Sequence, residues 1–409
     1  MVDVEQKAWP EGDVTRVPYW VYEDEEVYEK EQRGIYRGAV WNYLCLEIEI
    51  PEPGDYRTTF VGDMPVVVTR GPEGAIFAFE NRCAHRGNLL ALENKGRVKD
   101  FVCVYHAWRH DLQGNLMNVA FARGVQGEGG MPADFDKTRY GPRKLRVTTL
   151  GGLVFGTLSP DTPPIEEFMG EAVTARLRRV LHKPLRIYGC YTQVLPHNWK
   201  LYLENVRDTY HSSILHTFFA TFKFSRLTQG GAVLVSDSGA GHSSFSLIHK
   251  GGKEEEYEKE KLRSDQNLLL KDPSLLDVVD EYGDGCQVQI VSIFPGFALQ
   301  TLHNSIAVRH VLPKGPDETH LHWTFIGFQD DDERLQHMRM KQANLAGPAG
   351  FVSMEDGAIG GFVRRGCAAA PQESSVVMMG GSSTGTSSSR TVENAIRGFW
   401  KIYRKLTGV

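Results

Sequence analysis

Four metal-binding side chains in two short clips constrain this chain more than any other feature. Cys83 and His85 are followed, after seventeen intervening residues, by Cys103 and His106, in the pattern C-x-H-x17-C-x2-H. Two thiolates and two imidazoles divide between the irons of a [2Fe–2S] cluster, Cys83 and Cys103 on one iron, His85 and His106 on the other. Such a centre carries one electron. A tetrahedral zinc ion takes the same Cys2His2 set, but zinc clips more often read C-x2-C with H-x3–5-H, whereas mixed C-x-H and C-x2-H clips suit a cluster with one thiolate iron and one imidazole iron. The segments NRCAHRGNLL at 81–90 and CVYHAWRHDLQG at 103–114 read as two tight loops ending near Gly87 and Gly114, from which backbone N–H groups can reach the sulfurs.

A one-electron centre needs an acceptor, and a second constellation supplies one. HNWKLYLENVRDTYHSSILH at 197–216 places Asp208, His211 and His216 within nine residues. On a helix Asp208 and His211 lie about 60° apart, whereas His211 and His216 lie about 140° apart, so both imidazoles meet one ion only where the helix is distorted or ends. Two histidines and one carboxylate with positions left open form the facial triad of a mononuclear non-haem Fe(II) that activates O₂. Asp208 is one candidate carboxylate. A better one lies in GPAGFVSMEDGAIGG at 347–361, where Glu355 and Asp356 sit on a short predicted helix between glycine-rich turns, and spacing does not choose between these two.

The remaining sequence bounds the class. A chain of 409 residues with 41% hydrophobic and 24% charged residues has room for two or three globular domains. A net charge of −5 disfavours nucleic acid and anionic membrane as partners. The polar start MVDVEQKAWPEGD and the lack of an apolar run near twenty residues give no signal peptide and no membrane span, so a cytoplasmic location is the expectation. Cys45, Cys190, Cys286 and Cys367 are scattered singly and read as reduced thiols. With no G-x-G-x-x-G and no G-x4-G-K-[ST], the chain has no recognisable dinucleotide or phosphate loop and must borrow electrons from another protein.

Three regions follow from the pattern. Residues 1–37 read as an N-terminal helical arm, and 38–158 as a small all-β domain of alternating segments such as TTFVGDMPVVVTR. The proline-rich SPDTPPIEEF at 159–168 opens a third region, 159–409. There a helix near 165–182, strands near 184–194, 231–249, 286–293, 296–312 and 319–328, and helices near 331–345 and 391–406 indicate an α+β fold. KEEEYEKEKLR at 253–263 reads as a solvated loop or subunit rim, and GGSSTGTSSSR at 380–390 as a mobile cover over the site. In IVSIFPGFALQTLHNSIAVRHVLP at 290–313, Arg309 interrupts an apolar strand. An inward guanidinium there needs an anion, and its fork fits a carboxylate; an outward one needs only a salt-bridge partner.

Both constellations together resemble the large (α) subunits of Rieske non-haem iron ring-hydroxylating oxygenases, over nearly the whole chain. The resemblance implies that N-W-K…E-N…D-x2-H-x4-H supplies His211 and His216 as iron ligands, and that the acidic residue before the glycine of E-D-G, Asp356, is the third. Asp208 then binds no metal; it links a cluster histidine of a neighbouring subunit to an iron histidine. The implied fold is an N-terminal all-β Rieske [2Fe–2S] domain followed by a helix-grip catalytic domain with a curved antiparallel sheet. The implied partners are a separate NAD(P)H-dependent flavin and iron–sulfur reductase and, in a head-to-tail trimer, further copies of the chain, as α3 or with a small β subunit as α3β3. IYRGAVWNYLCLE, RCAHRGNLLALE, VLHKP and MEDGAIGGFVRRG are most similar to the terephthalate-oxidising branch. In that branch one arginine in the S-I-A-V-R strand and one in the serine-rich stretch hold two para carboxylates; here they are Arg309 and Arg390. The expected reaction is cis-dihydroxylation of an aromatic carboxylate, terephthalate to its 1,2-cis-dihydrodiol. Hydroxylation of salicylate, anthranilate or another benzoate is the alternative. An O-demethylating monooxygenase would use the same metals, and a pure electron carrier would leave His211, His216, Asp208 and Asp356 unexplained.

Overall fold

Three consecutive valines, Val66, Val67 and Val68, are fully buried in the strand Met64–Arg70, where β-branched side chains fit the pleat of a covered sheet. In the computed structural model, which describes residues 7–10, 14–222, 224–248, 259–260 and 268–409, this strand belongs to an antiparallel seven-stranded sheet. Its order is Asn42–Leu46, Leu153–Thr157, Lys144–Leu150, Ile76–Glu80, Met64–Arg70, Asp55–Val61 and Lys95–Arg97. A second sheet of Phe101–Val102, Arg109–His110 and Leu116–Asn118 carries the other cluster loop. Cys83 and Cys103 sit in one core cluster with Tyr56, Phe79, Phe101 and Trp108. This unit runs from Tyr36 to Thr162, slightly beyond the expected 38–158. The extension is held by Thr162, whose hydroxyl meets that of Thr157 at 2.7 Å and whose carbonyl accepts from Arg146.

The second unit combines the N-terminal residues up to Ile35 with Pro163–Val409. Its antiparallel seven-stranded sheet runs Leu185–Leu195, Thr319–Phe328, Ser305–Pro313, Phe297–Leu302, Cys286–Ile293, Gly241–Leu247 and Gly231–Val235. The register pairs Arg309 with Ala298 and Trp323, Gln300 with Ala307 and Ile290, and Ser246 with Val288, placing all of these on one face. The helix Trp199–Arg207 covers that face, since the buried Arg207 guanidinium donates to Ser292 Oγ on the same side, at 3.1 Å. Glu171–Val180 covers the other: the Arg176 guanidinium lies 4.1 Å from the ring centroid of Phe245, and the Arg176 carbonyl accepts from Gln289.

Several expected elements divide. The run 231–249 is a hairpin, Gly231–Val235 and Gly241–Leu247, because Ser236–Ala240 turns back through Gly239 at φ 82°; a Cβ there would come within 2.0 Å of the Gly398 carbonyl oxygen. The run 296–312 is a second hairpin, turning at His303 with φ 51°. The helix at 165–182 breaks at Gly170, φ 82°. The serine-rich 380–390 stretch is tied down rather than loose: Ser387 pairs with Val233, Thr386 Oγ1 accepts from Val235 N–H, and the Ser383 carbonyl accepts from Arg397. The charge run at 253–263 lies outside the described residues except for 259 and 260. Among the described residues no helix is long and apolar enough to cross a membrane.

The N-terminal helix packs into the second unit. The helix Glu25–Glu31, capped by Asp24, ends on a carboxylate that is fully buried in the C-terminal unit. Glu31 accepts hydrogen bonds from Trp199 Nε1 at 2.7 Å, Tyr403 O–H at 2.6 Å and the buried Lys200 ammonium. One carboxylate thus joins the N-terminal helix, the Trp199–Arg207 helix and the C-terminal helix Asn394–Thr407. Removing one member strands a buried charge, so Glu31→Ala should cost about 3–5 kcal/mol. Chemical denaturation followed by tryptophan fluorescence should show this loss with the cluster absorbance intact; an unchanged midpoint would show that the anchor is dispensable.

Candidate active site

The two cluster loops are closed by backbone bonds. Gly87 N–H donates to the Cys83 carbonyl at 3.0 Å and Cys83 N–H to Asn88 at 2.8 Å; Ala107 N–H donates to Cys103 at 2.9 Å and Cys103 N–H to Trp108 at 2.8 Å. The first loop turns at Gly87, φ 76°, as expected. The second turns at Ala107, φ 53°; Gly114, φ 81°, closes a separate turn that starts at Asp111. Both thiols are buried, and burial pushes the Cys83 thiol up, whereas His85 and His106 are exposed with ring centroids 4.4 Å apart. His85 stacks on the indole of Trp108 at 4.8 Å. One tetrahedral zinc would draw all four donor atoms to about 3.3–3.8 Å from one another. Here the two thiols are buried while the two imidazoles are exposed. Two thiols inside and two imidazoles outside fit a binuclear cluster with its histidine iron at the surface.

The histidines five apart converge because the helix stops. Trp199–Arg207 ends at Asp208, whose ψ of 112° is extended; His211 begins the single turn Ser212–Leu215, and His216 separates that turn from Thr217–Thr221. Asp356 projects from the long helix Phe351–Ala368, where the sequence suggested a short one. Its Oδ1 lies 3.5 Å from His211 Nε2 and 3.3 Å from His216 Nε2, and it also accepts from Asn205 Nδ2 at 3.1 Å. The outer nitrogens face other carboxylates: His211 Nδ1 is 3.1 Å from Asp208 Oδ2, and His216 Nδ1 is 2.7 Å from Glu355 Oε2. Of the three candidate carboxylates, only Asp356 meets both inner nitrogens.

Electrostatics marks the same point. Burial would lower the His211 imidazole, but Asp208 and Asp356 overturn that and push it up to about 10. Burial would raise Asp356, yet the two imidazoles hold it below the usual carboxylate range. A pocket that stabilises imidazolium is built for positive charge, and two Nε2 atoms with a carboxylate fit a divalent iron.

The same cavity contains both predicted arginines. It is lined by His211, His216 and Asp356 at one side and by Arg309, Arg390, Ser246, Gln300, Ile290 and Leu302 from the sheet face and the serine-rich stretch. Arg309 is 3% exposed; its Nη1 donates to Tyr202 O–H at 2.9 Å, while Nε and Nη2 have no partner. That resolves its direction as inward. Arg390 is buried, with Nη1 donating to the Arg226 carbonyl at 2.9 Å and Nη2 to Ser225 Oγ at 3.3 Å; burial lowers its guanidinium to about 10, which leaves it charged at neutral pH. A Cβ at Gly231 would come within 2.8 Å of Arg390 Cδ, so the glycine makes room for it. Sequence reasoning missed Asn205, Tyr202, Ser225 and the contact of Glu355, because each acts through a partner distant in the chain.

Asp356→Ala should remove the mononuclear iron while leaving the cluster spectrum unchanged, because the two centres share no residue. Iron-to-sulfide ratios with visible absorption check this; full iron occupancy in the variant would exclude Asp356 as a ligand.

Comparison with known proteins agrees with this geometry. Residues 40–127 match the Rieske [2Fe-2S] domain, and residues 172–408 match the ring hydroxylating alpha subunit (catalytic domain). The chain is 54% identical over 401 residues to the terminal oxygenase component subunit alpha 2 of a terephthalate 1,2-dioxygenase from Comamonas sp, covering 98% of this chain and 97% of that one. It is 43% identical to the large subunit of an anthranilate 1,2-dioxygenase from Burkholderia cepacia, covering 99% and 96%. The fold matches naphthalene 1,2-dioxygenase from Rhodococcus sp. with a TM-score of 0.79 at 21% identity, over 96% of this chain and 94% of that one. Both domains match family models and the whole chain has relatives of the same length: the chain belongs to the α subunits of the Rieske-type ring-hydroxylating dioxygenases.

Proposed function

We propose that this chain is the oxygenase component of a multicomponent dioxygenase that converts terephthalate to its 1,2-cis-dihydrodiol. Cys83, Cys103, His85 and His106 hold the [2Fe–2S] cluster, and His211, His216 and Asp356 hold the mononuclear Fe(II). When bound, the cluster supplies single electrons and the mononuclear iron activates O₂. The convergence of two buried arginines on the cavity that contains the iron residues carries the reading.

The chain's own residues bind and orient the substrate. Tyr202 fixes one end of the Arg309 guanidinium and leaves the Nε–Nη2 edge free, the edge that grips a carboxylate with two parallel hydrogen bonds. Arg390 meets the opposite carboxylate, held in place by Arg226 and Ser225. Ile290, Leu302 and Val288 pack the ring between the two charges and keep water out. Fixing both ends of a rigid para-dicarboxylate sets which ring edge faces His211, His216 and Asp356. The relatives that act on terephthalate and anthranilate support an aromatic carboxylate.

Electron supply fits an assembly. His85 and His106 are exposed beside Val104, Tyr105 and Phe121, an apolar collar suited to docking. Asp208 lines an open basin with Leu215, Ile359 and Val363, and touches His211. A head-to-tail trimer, α3 or α3β3, brings the collar of one subunit to the basin of the next, where Asp208 orients His211 and links the centres. A separate flavin and iron–sulfur reductase recharges the cluster from NAD(P)H, a cytoplasmic reductant.

A monocarboxylate substrate is the second reading. Two Arg390 nitrogens already bond to protein, as a purely structural arginine's would. The two readings differ in kinetics. Losing one charge-assisted bidentate contact should cost on the order of 2–4 kcal/mol, roughly 30- to 1000-fold in kcat/KM. Arg309→Ala should show that loss for any benzoate-like substrate, and Arg390→Ala for terephthalate but much less for benzoate or anthranilate. Normal terephthalate turnover by Arg390→Ala, or a wild-type preference for a monocarboxylate, would select the second reading.

A further inference from the structure

We infer that Glu355 is a positioning residue for the mononuclear iron, acting through His216; the inference rests on the assignment of His211, His216 and Asp356 as the iron's ligands. Glu355 and Asp356 are consecutive on the helix Phe351–Ala368, so their side chains leave it about 100° apart and meet His216 from two directions. Asp356 Oδ1 faces the inner nitrogen Nε2 at 3.3 Å, while Glu355 Oε2 accepts from the outer nitrogen Nδ1 at 2.7 Å. A proton held on Nδ1 leaves the Nε2 lone pair free for a metal and fixes the plane of the ring. The backbone gives little help: His216 sits between two short helical turns with φ −80° and ψ 82°. The ring, 3% exposed, is instead held by Phe219, edge-on at 5.3 Å, and by Glu355.

The other imidazole faces a carboxylate that comes from a different place. Asp208 Oδ2 lies 3.1 Å from His211 Nδ1 but also lines the open basin, whereas Glu355 approaches from the helix that carries Asp356. Glu355 therefore serves metal retention at His216. An acidic residue that merely decorated a helix surface would not lie 2.7 Å from a nearly buried imidazole.

Cobalt(II) titration of the full chain, with its cluster intact and its mononuclear iron removed, tests this without turnover. Glu355→Gln keeps an acceptor oxygen at the same reach and should bind cobalt within about threefold of wild type. Glu355→Leu and the shorter, polar Glu355→Asn should bind it roughly 10- to 100-fold more weakly, with a shifted cobalt ligand-field spectrum. Cluster absorbance in each variant reports folding, and Glu355→Asn serves if Glu355→Leu is unstable. Wild-type affinity and spectrum in both Glu355→Leu and Glu355→Asn would overturn the positioning role while leaving the iron site standing. A wild-type chain that bound no cobalt, or a His216→Ala variant that bound it normally, would overturn the iron site itself and the positioning role with it.

Discussion

A carboxylate without a counter-charge does not stay buried, and Asp356 is buried between two imidazoles. Most of the second unit can be understood as what makes that pairing possible. The Trp199–Arg207 helix must end at Asp208, or His211 and His216 would point apart. The long helix Phe351–Ala368 must pass close enough for one oxygen to face both rings. Further carboxylates must then hold the outer ring nitrogens, or the rings could rotate. Three acidic groups around two histidines leave a net demand for positive charge, which a divalent metal meets better than protons do.

The sheet beneath these helices has the complementary problem. Arg309 and Arg390 are cations buried near that site, and each is oriented by a single neighbouring region: Tyr202 for the first, Ser225 and Arg226 for the second. Desolvating a guanidinium is unfavourable unless an anion meets it, so the two open donors of Arg309 favour the proposed carboxylate ligand. Strand register turns this into geometry. Alternation puts Arg309, Gln300, Ile290 and Ser246 on one face, and His211, His216 and Asp356 descend on that face from the helices.

The metal chemistry was largely legible before the structure. The two clips announce a cluster because their spacing and donor types are chemically selective, and the need for a break between His211 and His216 follows from helix geometry alone. What spacing left open was decided by tertiary contact: Asp208, Glu355 and Asp356 are equivalent as letters and differ only in which ring nitrogen they meet. Elsewhere the same limit applies. Two long runs read as single strands because turns at Gly239 and His303 lie inside otherwise extended patterns. The serine-rich stretch reads as mobile from composition, yet Arg397, Val233 and Val235 hold it through backbone and hydroxyl groups that composition does not encode. The N-terminal helix reads as separate because its anchor, Glu31, meets partners on average hundreds of positions away only after folding.

Calorimetric titration of the metal-loaded enzyme with terephthalate and with its monomethyl ester tests most directly whether the cavity is a two-ended carboxylate clamp. The ester keeps the ring and one carboxylate but removes the second charge. Terephthalate should bind on the order of 30-fold or more tightly than the ester, the size expected for one buried charge-assisted contact. Equal affinity for the two would contradict the clamp and leave Arg390 as a structural residue.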